Sequence, residues 1–344
     1  MISWPWKSKN ASATRLAISV GDEEFHFVQA AGRQILRSGT ARRGRDTPQQ
    51  FARRVRLIGL PDTDVVNVLG LAECQLLQID APAVPDNELK AAARWRIKDM
   101  VETPVDELAI DVLEVGAPRP GQRHQLYVAA AQNSRMLQVG EWMSGAGLRP
   151  TVFDIAELAQ RNLQCALSEQ QGRPGEVSAA LVRHGAQCLL TICAQGELFY
   201  CRRLEWSVKS IDTTPSLALL AAAAVSKTRG LMSAELEGVD MIDYGAEEED
   251  VRPAATESVS RLALEVQRSL DTWERSWPDR PLDRLWVDAG SQTADFRALL
   301  ERTLSLPVEP LDAWGLFEGA SAADDEPIPL TLLGGLLRQE ARAA

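Results

Sequence analysis

The chain has 344 residues, which on ordinary domain sizes predicts roughly two domains. Apolar residues make up 45% and charged residues 25%, globular values that exclude a wholly disordered or collagen-like chain. Against 37 Lys and Arg stand 48 Asp and Glu, and the net charge of −11 excludes nucleic-acid binding through a general basic footprint, leaving only a local basic patch open.

Residues 1–13 read as a short tail, containing Trp4-Pro5-Trp6 followed by Lys7 and Lys9. Leu16 to Val20 and Phe25 to Val28 are predicted strands joined at the turn signal Gly21-Asp22. His26, between Phe25 and Phe27, is expected to face solvent. Residues 38–48 are loop-like and basic, Gln49 to Arg56 is a short helix, and Val65 to Leu69 and Gln75 to Ile79 are strands rich in branched side chains. After a Pro-punctuated break, Leu89, Ala93, Ile97, Met100 and Val101 step by three and four, predicting a helix over 85–101 with Pro104 past its end. Strands at Ala109 to Val115 and Gln125 to Ala131 flank a Pro/Gly loop, and a helix over Ser134 to Ala146 closes at Gly147.

Asp154 reads as an N-cap, with Glu157 three residues on, for a helix to Leu167. Ala179 to Val182, Cys188 to Cys193 and Leu198 to Arg203 form a predicted meander that echoes the first strands and suggests a duplicated architecture. Residues 245–253 are an acidic loop. Ser258 to Trp277 carries the clearest apolar helical stripe; Leu285 to Val287 is a buried strand; Ala294 to Leu304 and Leu332 to Glu340 are helices. Together these predict an α/β protein with two sheet-based lobes.

The longest uninterrupted apolar run is the nine residues Leu217 to Val225, short of the roughly 20 a spanning helix needs. The N-terminal residues lack the apolar region of a secretory signal, and five scattered cysteines make no disulfide framework, so a reducing compartment is expected. His184, Cys188, Cys193 and Cys201 fall close together, but their spacing matches no common zinc site and core packing is expected. Val225-Ser226-Lys227-Thr228 lacks the glycines of a phosphate loop.

Four features together resemble the PilM/MshI family of pilus-assembly proteins: ELKAAARWRIKDMVETPVDELAIDV (88–112), GLRPTVFDIAELAQRNL (147–163), EVQRSLDTWERSW with LDRLWVDAG (265–290), and the order of elements along the chain. The run QIDAPAVPDNELKAAARWRIKD is most similar to the MshI (MSHA pilus) branch. The resemblance implies a two-lobe actin-like (ASKHA, FtsA-like) α/β fold with a small α+β subdomain inserted in lobe one. It would divide the chain into a tail (1–13), lobe one (14–79), the inserted subdomain (80–152), a linking helix (153–170), lobe two (171–331) and a C-terminal helix (332–344). It also implies a cytoplasmic protein held at the inner membrane by the cytosolic tail of a bitopic partner of PilN/MshJ type, with a cytosolic assembly ATPase as a further partner.

In actin-like ATPases a glycine turn in each lobe approaches the phosphates, and an Asp at the start of each turn holds Mg²⁺ or positions the attacking water. By that resemblance the nucleotide-cleft positions are Ser19 and Gly21 in the first turn, Arg183 and Gly185 in the second, and Gly290 in a third. Ser19 and Arg183 stand where the two Asp residues would, and Asp22, Glu23 and Glu24 crowd the first turn with negative charge. No ATP hydrolysis, no cofactor and no metal are expected; weak nucleotide binding without turnover is the remaining alternative. Partner binding is expected at Trp95, flanked by Arg94 and Arg96 on the helix of the inserted unit, beside lobe one. Two other readings are a slow actin-like ATPase gating pilus assembly, and the cytosolic part of a type II secretion platform protein. The last normally continues into a spanning helix, which this sequence does not show.

Overall fold

The computed structural model describes residues 14–62, 64–116, 124–206, 254–319 and 328–338. The Trp-Pro-Trp tail, the Pro/Gly loop, the run Leu217 to Val225, Val225 to Thr228, the acidic loop and the end of the last predicted helix lie outside them.

The first sheet opens with three antiparallel strands, β1 (Thr14–Val20), β2 (Glu24–Ala31) and β3 (Gln34–Arg42). β3 runs into the stretch expected to be loop, because pairing with β2 satisfies its backbone whatever its polar side chains do. Helix α1 (Pro48–Arg56) follows, opened by a capping box between Thr47 and Gln50. β4 (Val65–Leu69) then pairs with β1 in parallel, and β8 (Pro150–Ile155) joins β4 at the far edge.

Between β4 and β8 the chain inserts a three-stranded sheet of β5 (Cys74–Asp80), β7 (Gln125–Gln132) and β6 (Leu108–Val115), with α2 (Asp86–Arg96) on one face. Ala93 and Ile97 of that segment are buried against Ile110, Leu126 and Val128. Helix α2 ends five residues earlier than its apolar periodicity predicts, and the chain turns to bring Val101 and Val105 onto the small sheet. Sheet pairing puts residues 74–79 with this unit, and α3 (Asn133–Gly145) packs on α1 and the first sheet through Val139 and Met143. The structural insert therefore spans 74–132 in place of the 80–152 expected. Its second face lies on lobe two: Tyr127 is buried and its hydroxyl donates to Phe199 O at 3.2 Å.

Helix α4 (Ala156–Gln170) crosses to the second lobe. The expected capping box does not form. Asp154 is the buried penultimate residue of β8, paired with Arg338 at 3.2 Å, and Ile155 occupies the N-cap without a side-chain cap. The second sheet repeats the first: β9 (Ser178–His184), β10 (Gln187–Ala194) and β11 (Glu197–Glu205) form the meander. After it come α5 (Ala254–Ser276), β12 (Arg284–Asp288), α6 (Thr293–Thr303), β13 (Val308–Pro310) and α7 (Leu330–Leu336). The strand orders β3-β2-β1-β4-β8 and β11-β10-β9-β12-β13 are the same pattern twice.

Helices thus sandwich each sheet. α1 and α3 cover the outer face of the first, and α5 and α6 that of the second. Between the sheets lie α7 and α4, where Ala17, Val66 and Val68 of lobe one meet Leu163, Leu332 and Leu333, and then Ala180 and Trp286 of lobe two. Trp273 and Trp286 are fully buried, and each such side chain contributes about 2–3 kcal/mol of burial free energy. Cys188 and Cys193 are core residues as expected, and among the described residues no cluster of His, Cys, Asp and Glu could hold a metal ion. His26 departs from expectation: it is half-buried, and its Nδ1 lies 2.8 Å from Thr40 Oγ1.

Candidate functional site

In each lobe the turn after the first strand is a place where backbone N–H groups can face a ligand. In lobe one that turn is closed on itself. Gly21 N–H donates to Glu24 O at 2.9 Å, so it is not available to a phosphate. Asp22 accepts from Arg135 Nη1 at 2.9 Å, and the same guanidinium donates to Val20 O and to Glu73 Oε1. Glu73 in turn accepts from Gly70 N–H. Arg135, on α3, therefore ties the first turn to the β4–β5 connection. Glu23 and Glu24 pair with Arg43 and Arg42 at 2.5 and 3.1 Å. Each of the three carboxylates expected to repel a triphosphate carries a partner guanidinium. Ser19 is half-buried on β1, opposite His26.

In lobe two, parallel pairing of β9 with β12 brings the turn at Gly185 beside the turn at Gly290. Both glycines are left-handed, at φ +62° and +63°, with open space where a Cβ would stand, so their backbones are approachable. Arg183 bridges them. Its Nε donates to Gly185 O at 3.0 Å, its Nη1 to Gln292 Oε1 at 3.2 Å, and its guanidinium stacks 4.9 Å from the Trp206 ring centroid. A guanidinium cannot ligate Mg²⁺, and the neighbouring carboxylate, Asp288, accepts from Gly290 N–H and the Thr293 hydroxyl. Burial pushes the Asp288 pKa up, weakening it further as a metal ligand. Of the positions that the resemblance assigns to a nucleotide cleft, the glycines lie in turns and Ser19 and Arg183 on the strands before them, and Arg183, Asp288 and the three first-turn carboxylates are already bonded within the protein.

Two residues bind the lobes together in a way the sequence did not suggest: Arg203, which was not singled out, and Glu157, which was read there only as a capping-box partner. Arg203 on β11 donates to Leu71 O, Cys74 O and Glu157 Oε1 at 2.5, 2.6 and 2.7 Å, joining lobe two to the β4–β5 connection and to α4. Glu157 is 2% exposed. The available signal was a pair of arginines within an otherwise apolar strand, LFYCRRL, and a Glu near the start of an apolar helix. Burial, then the charge of Arg203, push His184 down to about 4, so it is neutral at pH 7. Burial raises Cys188 and Cys201 to about 12, which removes them as thiolate ligands.

On the inserted unit, Trp95 is 70% exposed with Lys98 Nζ 5.7 Å from its ring centroid, so it does not cap the local core. Arg96 is exposed and lines a pocket of about 360 Å³ with Asp80, Ala81, Ala83 and His124. Arg94 points the other way and donates to the carbonyls of Val105 and Leu108, pinning the turn after α2. The structure leaves Trp95 and Arg96 at a surface and commits Arg94 to the fold.

The duplicated sheets, the crossing helix pair and the paired glycine turns define a two-lobe actin-like protein. No protein-family model matches the chain, and no curated protein matches it. Among solved structures it is similar to a PilM-PilN type IV pilus biogenesis complex, with a TM-score of 0.59 and 22% identity over 88% of this chain and 89% of that one. It is less similar to the cytoplasmic domain of EpsL, an inner membrane component of the type II secretion system of Vibrio cholerae (TM-score 0.40, 13% identity, covering 56% of this chain and 71% of that one). A Bacteroides thetaiotaomicron protein with actin-like ATPase fold and unknown function has a TM-score of 0.42 and 8% identity, covering 89% of this chain and 94% of that one. At these identities the likeness is one of fold. Among the described residues no helix is long and apolar enough to cross a membrane.

Proposed function

We propose that this protein is a cytosolic scaffold of a type IV pilus assembly machine of the MSHA kind, which binds the cytosolic tail of a bitopic inner-membrane partner of PilN type and is held at that membrane by it. The observation that carries this reading is the fold likeness to a PilM-PilN complex over nearly nine-tenths of both chains. The inserted unit supplies the surface: an exposed Trp beside an exposed Arg and a pocket, the residue types that anchor protein interfaces. The paired double variant Trp95→Ala, Arg96→Ala is expected to weaken binding of a peptide copying the partner's cytosolic tail by about tenfold or more while leaving the unfolding midpoint unchanged. Isothermal titration checks this, and undiminished affinity would remove the placement.

The cleft is read as non-catalytic. Arg183, where the resemblance would put a metal-holding Asp, bonds to its own turns, and Arg135 ties down the first turn. A ligand that binds only the folded state must raise the melting temperature by mass action. Mg-ATP is therefore expected to leave the melting temperature unchanged. A Mg-dependent rise would favour the slow-ATPase reading instead.

A further inference from the structure

Between residues 33 and 60 this acidic protein carries eight arginines against a single carboxylate, Asp46. Seven of them lie on the edge strand β3, on α1 and in the loop between, while Arg33, before β3, lies over the Phe317 ring. Arg37 donates to Ile58 O at 2.9 Å, and Arg54 pairs with Asp46 at 2.8 Å and reaches Arg43 O, so strand and helix present one surface. Arg42 and Arg43 are neutralised by Glu24 and Glu23. Arg45, Arg53 and Arg56 are exposed and have no carboxylate partner among the described residues. Arg53, Arg56 and Leu57 stand at i, i+3 and i+4, on one face of the last turn of α1. Exposed Arg149 lies two residues past Gly147, which packs against the Arg56 stem. Leu57, the C-cap beside Arg53 and Arg56, is 86% exposed.

Cations in a helix's last turn favour its dipole, which accounts for Arg53 and Arg56 being tolerated there. It does not account for Arg45 in a loop, Arg149 before another strand, or a bare leucine beside Arg53 and Arg56. We infer that this β3–α1 face docks on an anionic phospholipid surface. Guanidiniums bind headgroup phosphodiesters in a forked geometry, and a projecting leucine beside them can enter the boundary between headgroups and acyl chains. A nucleic-acid backbone would satisfy the arginines but offers Leu57 nothing apolar. On a chain of net charge −11, a cationic face of this kind favours an approach to an anionic surface by that side. The inference does not depend on the pilus reading, since lipid binding is measured with the protein alone.

The test is co-sedimentation of the full chain with phosphatidylglycerol-rich vesicles and with pure phosphatidylcholine vesicles at low and physiological salt. Salt-sensitive binding to the anionic vesicles only is expected. Arg45→Ala, Arg53→Ala, Arg56→Ala together should cost on the order of a hundredfold in partitioning. The charge-keeping triple Lys variant should bind more tightly than the triple Ala variant and somewhat more weakly than the parent, which separates lost charge from lost folding. Leu57→Ser should cost roughly tenfold with the salt dependence kept. Equal binding to both vesicle types, binding to neither, indifference to the triple Ala change, or tighter retention of duplex DNA than of anionic vesicles at the same salt would each overturn the inference.

Discussion

Gly334→Ala is expected to destabilise the protein by at least about 3 kcal/mol, because the new methyl would fall on backbone that cannot move aside. A Cβ at Gly334 overlaps the carbonyl of Ala159, and Gly334 O accepts from Asn162 Nδ2 at 3.0 Å. α7 therefore presses directly onto α4 at this point, and those two helices fill the space between the sheets. No rotamer change relieves a clash with a main-chain oxygen, so the helices must separate and expose Leu332, Leu333 and Leu163. For a chain of this size the loss corresponds to a fall in melting temperature of about 4 °C or more, read by scanning calorimetry. Gly335→Ala is the control. Its methyl would meet the Val68 Cγ2 methyl at 2.8 Å, the end of a side chain, and a smaller loss is expected. Equal stability of parent and Gly334→Ala would mean that the helices do not touch as described.

Arg203→Ala is the second large effect. It leaves the Glu157 carboxylate buried without its cation and removes the donor from Leu71 O and Cys74 O. Breaking a buried pair by deleting one partner costs about 3–5 kcal/mol, most of it the penalty of the stranded charge. Removing both charges together, as Glu157→Gln with Arg203→Met, should recover much of that loss, and urea unfolding of the singles and the double closes the cycle. If Arg203→Ala lies within about 1 kcal/mol of the parent, the clamp between β11, α4 and the β4–β5 connection does not bear on stability. The consequence for function is mechanical. These contacts join the start of β5, in the insert, and α4 to β11 of lobe two, and would resist a hinge there.

Much of the secondary structure was legible along the chain because period and punctuation are local. The meander at 178–205 and the stripe of α5 follow from branched runs, turn glycines and apolar spacing. Where the reading missed, a longer-range partner had intervened. β3 exists because β2 is beside it, and Asp154 is held by Arg338, nearly two hundred residues further on, instead of capping α4. The insert's limits moved because α3 buries Val139 and Met143 against lobe one, a choice between two apolar surfaces that the helix pattern does not encode.

The cleft divides along the same line. Sequence alone shows a neutral hydroxyl at Ser19 and a guanidinium at Arg183, the positions where the resemblance would place carboxylates, since that chemistry belongs to the side chain wherever it sits. Neighbours supplied the rest. Arg135 over the first turn, Asp288 turned onto Gly290, and Arg94 directed to the carbonyls of Val105 and Leu108 while Trp95 stays bare all depend on which groups folding places within hydrogen-bonding reach. A hydrogen bond is decided over about 3 Å in space, whatever the separation along the chain. Composition and periodicity establish an acidic α/β chain with two sheet-based lobes; only packing determines that those lobes are clamped, that the turns bind themselves, and which arginines remain to meet something else.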